Sequence, residues 1–137
     1  MTTTQTRALR IGFVLYVLFI AAVVFQPQPQ VATGVVGGLD QTLLDLGMPE
    51  RIVAPGRVEF VLNALMFAPI TFLGYLGFGL RHWANWVVYA FVGSLAIEFI
   101  QGLLLPDRSA QFVDVVSNTL GGLLGVIAAL VWLRRRF

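Results

Sequence analysis

Four long apolar runs, Leu9 to Phe25, Phe60 to Leu80, Trp83 to Leu105 and Phe112 to Leu133, take up most of this 137-residue chain. Each approaches the roughly 20 residues, with a range of about 17 to 25, that an α-helix needs to cross the hydrocarbon core of a bilayer. Backbone N–H and C=O groups find no partner in lipid, so such a run can cross only as a helix whose backbone bonds are all internal. Composition agrees, because 58% hydrophobic and 12% charged residues leave too little polar surface to cover a soluble globule. The fold expected is therefore all-α: a single polytopic membrane domain over residues 1–137 with four transmembrane helices. The first run also fits a secretory leader, with its basic start and short apolar stretch. It is read as a helix, because Gln26-Pro27-Gln28-Pro29-Gln30 follows it and offers no small-x-small cleavage site.

Arginine placement sets an orientation. Arg7, Arg10, Arg81 and Arg134 to Arg136 flank the ends that share one side, whereas the other side carries Arg51, Arg57 and Arg108. By the positive-inside rule both termini are cytoplasmic, and Trp83, Trp86 and Trp132 are expected at the inner boundary where amphipathic rings are favoured. Basic residues arranged in this way are topological and offer no nucleic-acid face. With no Cys and a single His, His82, in the inner turn, disulfides, thiolate nucleophiles and histidine or thiolate metal sites drop out. No cofactor or metal is expected. The outer loop, residues 26–59, opens on an extended Pro/Gln stretch. Leu39, Leu43 and Leu46 then recur at helical spacing up to Gly47 and Pro49, which predicts a short helix on the outer surface.

Polar residues interrupt the runs on one side only. At about 1.5 Å rise per residue, Glu98 lies roughly 10 Å and Gln101 roughly 6 Å below the outer end of the third run. Asp114 is near the outer start of the fourth run with Asn118 one turn deeper, and Glu59 and Asn63 repeat that i, i+4 pairing on the second. Arg108 occupies the outer turn above them. The inner halves, residues 72–80, 87–95 and 123–133, hold nothing ionisable. Ionisable groups in hydrocarbon cost about 2.5–3.5 kcal/mol each on insertion scales, so the cluster is a candidate site. The plainer readings are interhelical hydrogen bonding for Asn63 and Asn118, a surface charge for Arg108, and a helix N-cap for Asp114. Gly121 and Gly125, with Ser117 a turn earlier, make one side of the fourth run smooth enough for close helix approach, including that of a second copy of the chain. Gly93 is expected to serve the third run similarly. Pro69 should kink the second run near Leu65.

The series Glu59-x-x-x-Asn63-x-x-x-Phe67-x-Pro69, Glu98-x-x-Gln101, Arg108 and Asp114-x-x-x-Asn118-Thr119-x-Gly121-Gly122-x-x-Gly125 resembles the VanZ-like family of bacterial membrane proteins. Thr71 departs from the Gly that similar members carry after Pro-x. The resemblance implies recurrent polar positions at Asn63, Glu98, Gln101, Arg108, Asp114 and Asn118, a place in the cell membrane, and a link to low-level resistance to the glycopeptide teicoplanin. It implies no known reaction.

These residue types bind polar head groups, relay protons or perform general acid and base work. Three functions follow. The first is a pocket, lined by Glu59, Asn63, Gln101, Arg108 and Asn118, that binds a lipid-linked envelope molecule or a lipoglycopeptide. The second is an intramembrane hydrolase or transferase that uses Glu98 and Asp114 as acid and base. The third is a small transporter or flippase, which the apolar inner halves disfavour. A hard divalent cation held by Glu98, Asp114 and amide oxygens is a further option.

Overall fold

In a computed structural model the chain is all-helical among the residues described, 1–26, 29–79, 82–104 and 111–136. The helices are α1 (Thr3–Val24), α2 (Pro29–Asp45), α3 (Pro55–Phe78), α4 (Trp83–Leu104) and α5 (Phe112–Arg136). Four of them, α1, α3, α4 and α5, are long and apolar enough to cross a membrane. The expected turn residue Arg81, the outer-turn Asp107 and Arg108, and Leu80 and Leu105 at the ends of two runs lie outside the described residues.

Local chemistry moves several boundaries. Helix α1 starts six residues before the apolar run because Thr2 and Gln5 form a reciprocal capping box, each side chain bonded to the other's backbone N–H. Helix α2 is longer than the short segment expected and takes in Pro29 and Gln30, which corrects the extended reading of those residues. Its end is as the sequence indicates. Gly47 adopts φ +83°, its N–H bonds Leu44 O at 2.9 Å and Met48 N–H bonds Leu43 O at 3.1 Å, the paired bonds of a Schellman stop. Helix α3 opens on Pro55, where no intrahelical amide is needed, and remains one helix through Pro69. The ring leaves Leu65 O without its usual amide. One residue on, Met66 O receives the Tyr16 hydroxyl of α1 at 3.1 Å.

Hydrogen-bond register fixes the topology. Asn63 pairs with Asp114 and Thr71 with Gly122, two bonds with the same separation of 51 residues, so α3 and α5 run parallel. Asn118 meets Ser94, and four residues further along α5 Gly122 packs on Ala90, four residues back along α4, so these two are antiparallel. Helix α1 is antiparallel to α3, joined by Arg10 to Gly77 O and Tyr16 to Met66 O. The most extensive seam is α3 against α5, followed by α4 on α5 and α1 on α3.

The seam is built from absence of side chains. A Cβ on Gly121 would stand 2.0 Å from Ala64 O, and one on Gly125 2.0 Å from Ala68 O. Backbones this near bring Cα–H groups against carbonyl oxygens, a recurrent contact at helix interfaces. The Gly121 and Gly125 face thus packs on α3 of the same chain. Gly93 has open space around its Cβ position and supports no close approach. Gly74 on α3 does: it admits the Trp86 ring, which is buried at 5% exposure against Phe13 and Phe78.

Burial is inverted relative to a soluble protein. Thr71, Ser94, Ser117 and the helix-contact glycines are inside, while Phe99, Leu103, Leu104 and Phe112 are two-thirds or more exposed. In water such a surface would aggregate; in hydrocarbon it is the solvent-matched one.

Candidate functional site

The ends of α1 and α4 and the starts of α3 and α5 meet at one end of the bundle, and the polar residues meet there with them. The buried stripe of α4 runs Trp86, Ala90, Ser94, Glu98 and Gln101, close to one face at successive turns, so the same rotation that packs Trp86 against α3 turns Glu98 and Gln101 inward. Helix α5 presents Val115, Ser117, Asn118, Gly121 and Gly122 from the opposite side.

Each polar side chain is held from a different helix. Glu98, 7% exposed, accepts the backbone N–H of Gln111 at 2.7 Å, just ahead of the first turn of α5. Asp114, in that first turn and half-buried, accepts Asn63 Nδ2 of α3 at 2.9 Å. Two carboxylates therefore converge on the N-terminal end of α5, where aligned peptide dipoles and unpaired amides favour negative charge. Both have further interactions beyond these two bonds. Asn118 donates through Nδ2 to Ser94 Oγ at 2.8 Å, and Gln101 donates through Nε2 to Val24 O, at the last turn of α1, at 2.8 Å. Glu59 is exposed at the mouth, one turn above Asn63. Arg108 lies outside the described residues.

The sequence-predicted residues are thus brought together in two tiers. Glu98, Asp114 and Asn63 meet at the start of α5, with Glu59 one turn before Asn63 on α3, whereas Gln101 and Asn118 act as clasps, one on α1 and one between α4 and α5. Among the described residues no three acidic or histidine side chains are grouped to hold a metal ion. Ser94 and Thr71 join the polar network beyond the residues expected of it. Ser94 shares a face with Glu98 at i, i+4, a signal available in the sequence; the Thr71 hydroxyl reaches Gly122 O at 2.7 Å, which only the α3–α5 register makes visible. Asp40 on α2 is a further surprise, buried at 7% exposure with no hydrogen-bond partner for Oδ1 among the described residues.

Chemically, a carboxyl group offers about four lone-pair sites when ionised and a donor when protonated. Such a group binds hydroxyl, amide or ammonium donors, and exchanges protons with them. Neither the curated proteins nor the solved structures compared with the chain yield a match. The family VanZ/LLP1, however, matches residues 13–133, from the middle of α1 to the end of α5 and across every residue of the polar end. A multi-pass membrane protein with this helix order and this span of agreement belongs to the VanZ/LLP1 family.

Proposed function

We propose that the polar end binds the head group of a cell-envelope amphiphile, a lipid-linked envelope molecule or a lipoglycopeptide, in the outer leaflet of the cell membrane. The observation that carries this reading is the position of Glu98. A carboxylate 7% exposed, about 9 Å inside the end of an apolar helix, is flanked on the same end by the lipid-facing Phe99, Leu103, Leu104 and Phe112. A molecule with a polar head and an acyl chain matches both surfaces at once: donors on the head meet Glu98 and Asp114, and the chain lies on the exposed aromatic and leucine side chains. Binding a lipoglycopeptide or a lipid-linked envelope molecule is in keeping with the link to teicoplanin resistance that the family resemblance implies.

Comparison of envelope lipids and precursors by mass spectrometry tests this, in cells carrying wild type, Glu98→Gln or Asp114→Asn at equal membrane levels. Binding predicts unchanged lipid composition in all three, with ligand co-purifying on wild type and reduced on the Asp114 variant. A lipid product made by wild type and lost in Glu98→Gln would replace binding with acid-base catalysis.

A further inference from the structure

The buried face of α2 holds an acid and no donor to match it. Among the side chains of α2 that are described, Asp40 alone is buried, at 7% exposure, with half-buried Val36 and Leu43 a turn to either side on the same face. A helix laid against an apolar bundle ordinarily gives such a position to an aliphatic residue. Helix α2 packs on α3, so this face is turned to the bundle. Among the described residues Asp40 Oδ1 has no hydrogen-bond partner. Arg57, at the start of α3, gives its Nη1 to Arg51 O instead. An acceptor withdrawn from water and left unmatched is costly, and a charged one more so. A donor arriving from outside the described residues would offset that cost.

Open space is one turn away. Gly37 precedes Asp40 by three residues and is exposed, and a Cβ built on it, or on Gly34 or Gly38, meets nothing within 4 Å. A helical side chain leans towards the N-terminus of its helix, over the preceding turn. For Asp40 that is the turn of Val36 and Gly37, so the bare glycine side of α2 is the approach to the carboxylate.

Charge and ligand number select the donor. All seven Asp and Glu of the chain, but only three of its nine Arg, fall in residues 40–59 and 98–114, the stretches that lead into and out of this end of the bundle. Such an end draws in cations. A divalent metal ion takes several oxygen ligands, and among the described residues no three His, Cys, Asp or Glu side chains are grouped to supply them. A primary ammonium group needs a single carboxylate, with which it makes a charge-assisted hydrogen bond. We infer that Asp40 is a binding site for a primary ammonium group, carried by a lipid head group or by a small amine, that approaches over Gly37.

Purified full-length protein in detergent, titrated with phosphatidylethanolamine, phosphatidylcholine or free ethanolamine and followed by native mass spectrometry, tests the site. The two lipids share phosphate and charge and differ in whether the nitrogen carries donor hydrogens. Phosphatidylethanolamine should therefore be retained about tenfold more tightly; an ethanolamine adduct without a lipid preference would assign the site to a small amine. Asp40→Asn should abolish the signal, as should Gly37→Leu, which puts a side chain into the opening. Asp45→Asn, an exposed acid on the same helix, should keep it. Heating the lipid-free protein separates binding from a structural role: Asp40→Asn should be at least as heat-resistant as wild type, because the unmatched charge is gone. Equal retention of the two lipids with no ethanolamine adduct, a signal that survives Asp40→Asn or Gly37→Leu, its loss in Asp45→Asn, or a lower Tm for lipid-free Asp40→Asn would overturn the inference. Glu98 and Asp114 are intact in every variant, so the outcome stands apart from the function proposed for them.

Discussion

Replacing Gly121 by Ala puts a methyl carbon 2.0 Å from the Ala64 carbonyl oxygen. Ordinary contact begins at 3.4 Å, so α3 and α5 must part by the difference, about 1.4 Å, at that level. The obstructing atom belongs to a helical backbone and has no rotamer to move to. If the seam opens as a rigid pair, Thr71 Oγ1 to Gly122 O stretches from 2.7 Å by the same amount, to about 4.1 Å, and that bond is gone. Overpacking costs about 1–3 kcal/mol, and an interhelical hydrogen bond in a membrane protein contributes roughly 0.6 to 1.7 kcal/mol. Against these stands the roughly 1 kcal/mol by which Ala is a better helix former than Gly. The net is about 2 kcal/mol of destabilisation, a fall in Tm on the order of 5–10 °C, read by heating the protein in mild detergent and measuring the monodisperse fraction. Gly93→Ala is the matched control, because open space surrounds that position and only the propensity gain remains. The double substitution Gly121→Ala with Gly125→Ala should cost less than the two singles combined, since one displacement relieves both clashes. A Gly121→Ala protein as heat-resistant as Gly93→Ala would refute the seam as described.

Three other outcomes follow from single contacts. A double-mutant cycle of Ser94→Ala and Asn118→Ala should return a coupling of about 0.6 to 1.7 kcal/mol, and a value near zero would remove the α4–α5 clasp. Tyr16→Phe deletes the hydroxyl on Met66 O and should cost about 1 kcal/mol, seen as faster proteolysis between α1 and α2 with α3–α5 intact. Gly47→Ala forces an alanine to φ +83° and should cost about 1 kcal/mol, localised by hydrogen exchange to the Gly47 and Met48 amides; uniform exchange across α2 would contradict the Schellman stop.

The four membrane-length helices were legible because hydrocarbon imposes length and composition together, and Phe112 and Trp83 mark their starts correctly. The polar end was legible for a related reason: Glu98, Asp114 and Asn63 are costly in lipid, so their spacing along each helix already said which end they share. What the sequence could not carry was partner choice. The Gly121-x-x-x-Gly125 spacing announces a close approach but not whether a sister helix or a second chain makes it, and the same spacing argument failed at Gly93 because smallness does not say which way a residue points. Trp86 shows the same limit, since its type says nothing of the slot that Gly74 opens for it. The early start of α1 was written in Thr2 and Gln5, a capping signal masked by the polarity of the segment.

The shared separation of 51 residues has a consequence in time. When α3 leaves the ribosome, the partners of Asn63 and Thr71 have not been made. At about 5–20 residues per second they arrive roughly 3 to 10 seconds later. For that interval α3 carries the Asn63 carboxamide in lipid or at the insertion machinery with its α5 partner unmade, while the Thr71 hydroxyl has Ala68 O of its own helix, and α4 must be threaded in the opposite direction before α5 arrives. The bundle therefore closes with its last helix, and a nascent chain halted before α5 is a marked one: three membrane-length helices with the Asn63 carboxamide still unmatched by Asp114, ready for whatever surveys unfinished proteins in the membrane.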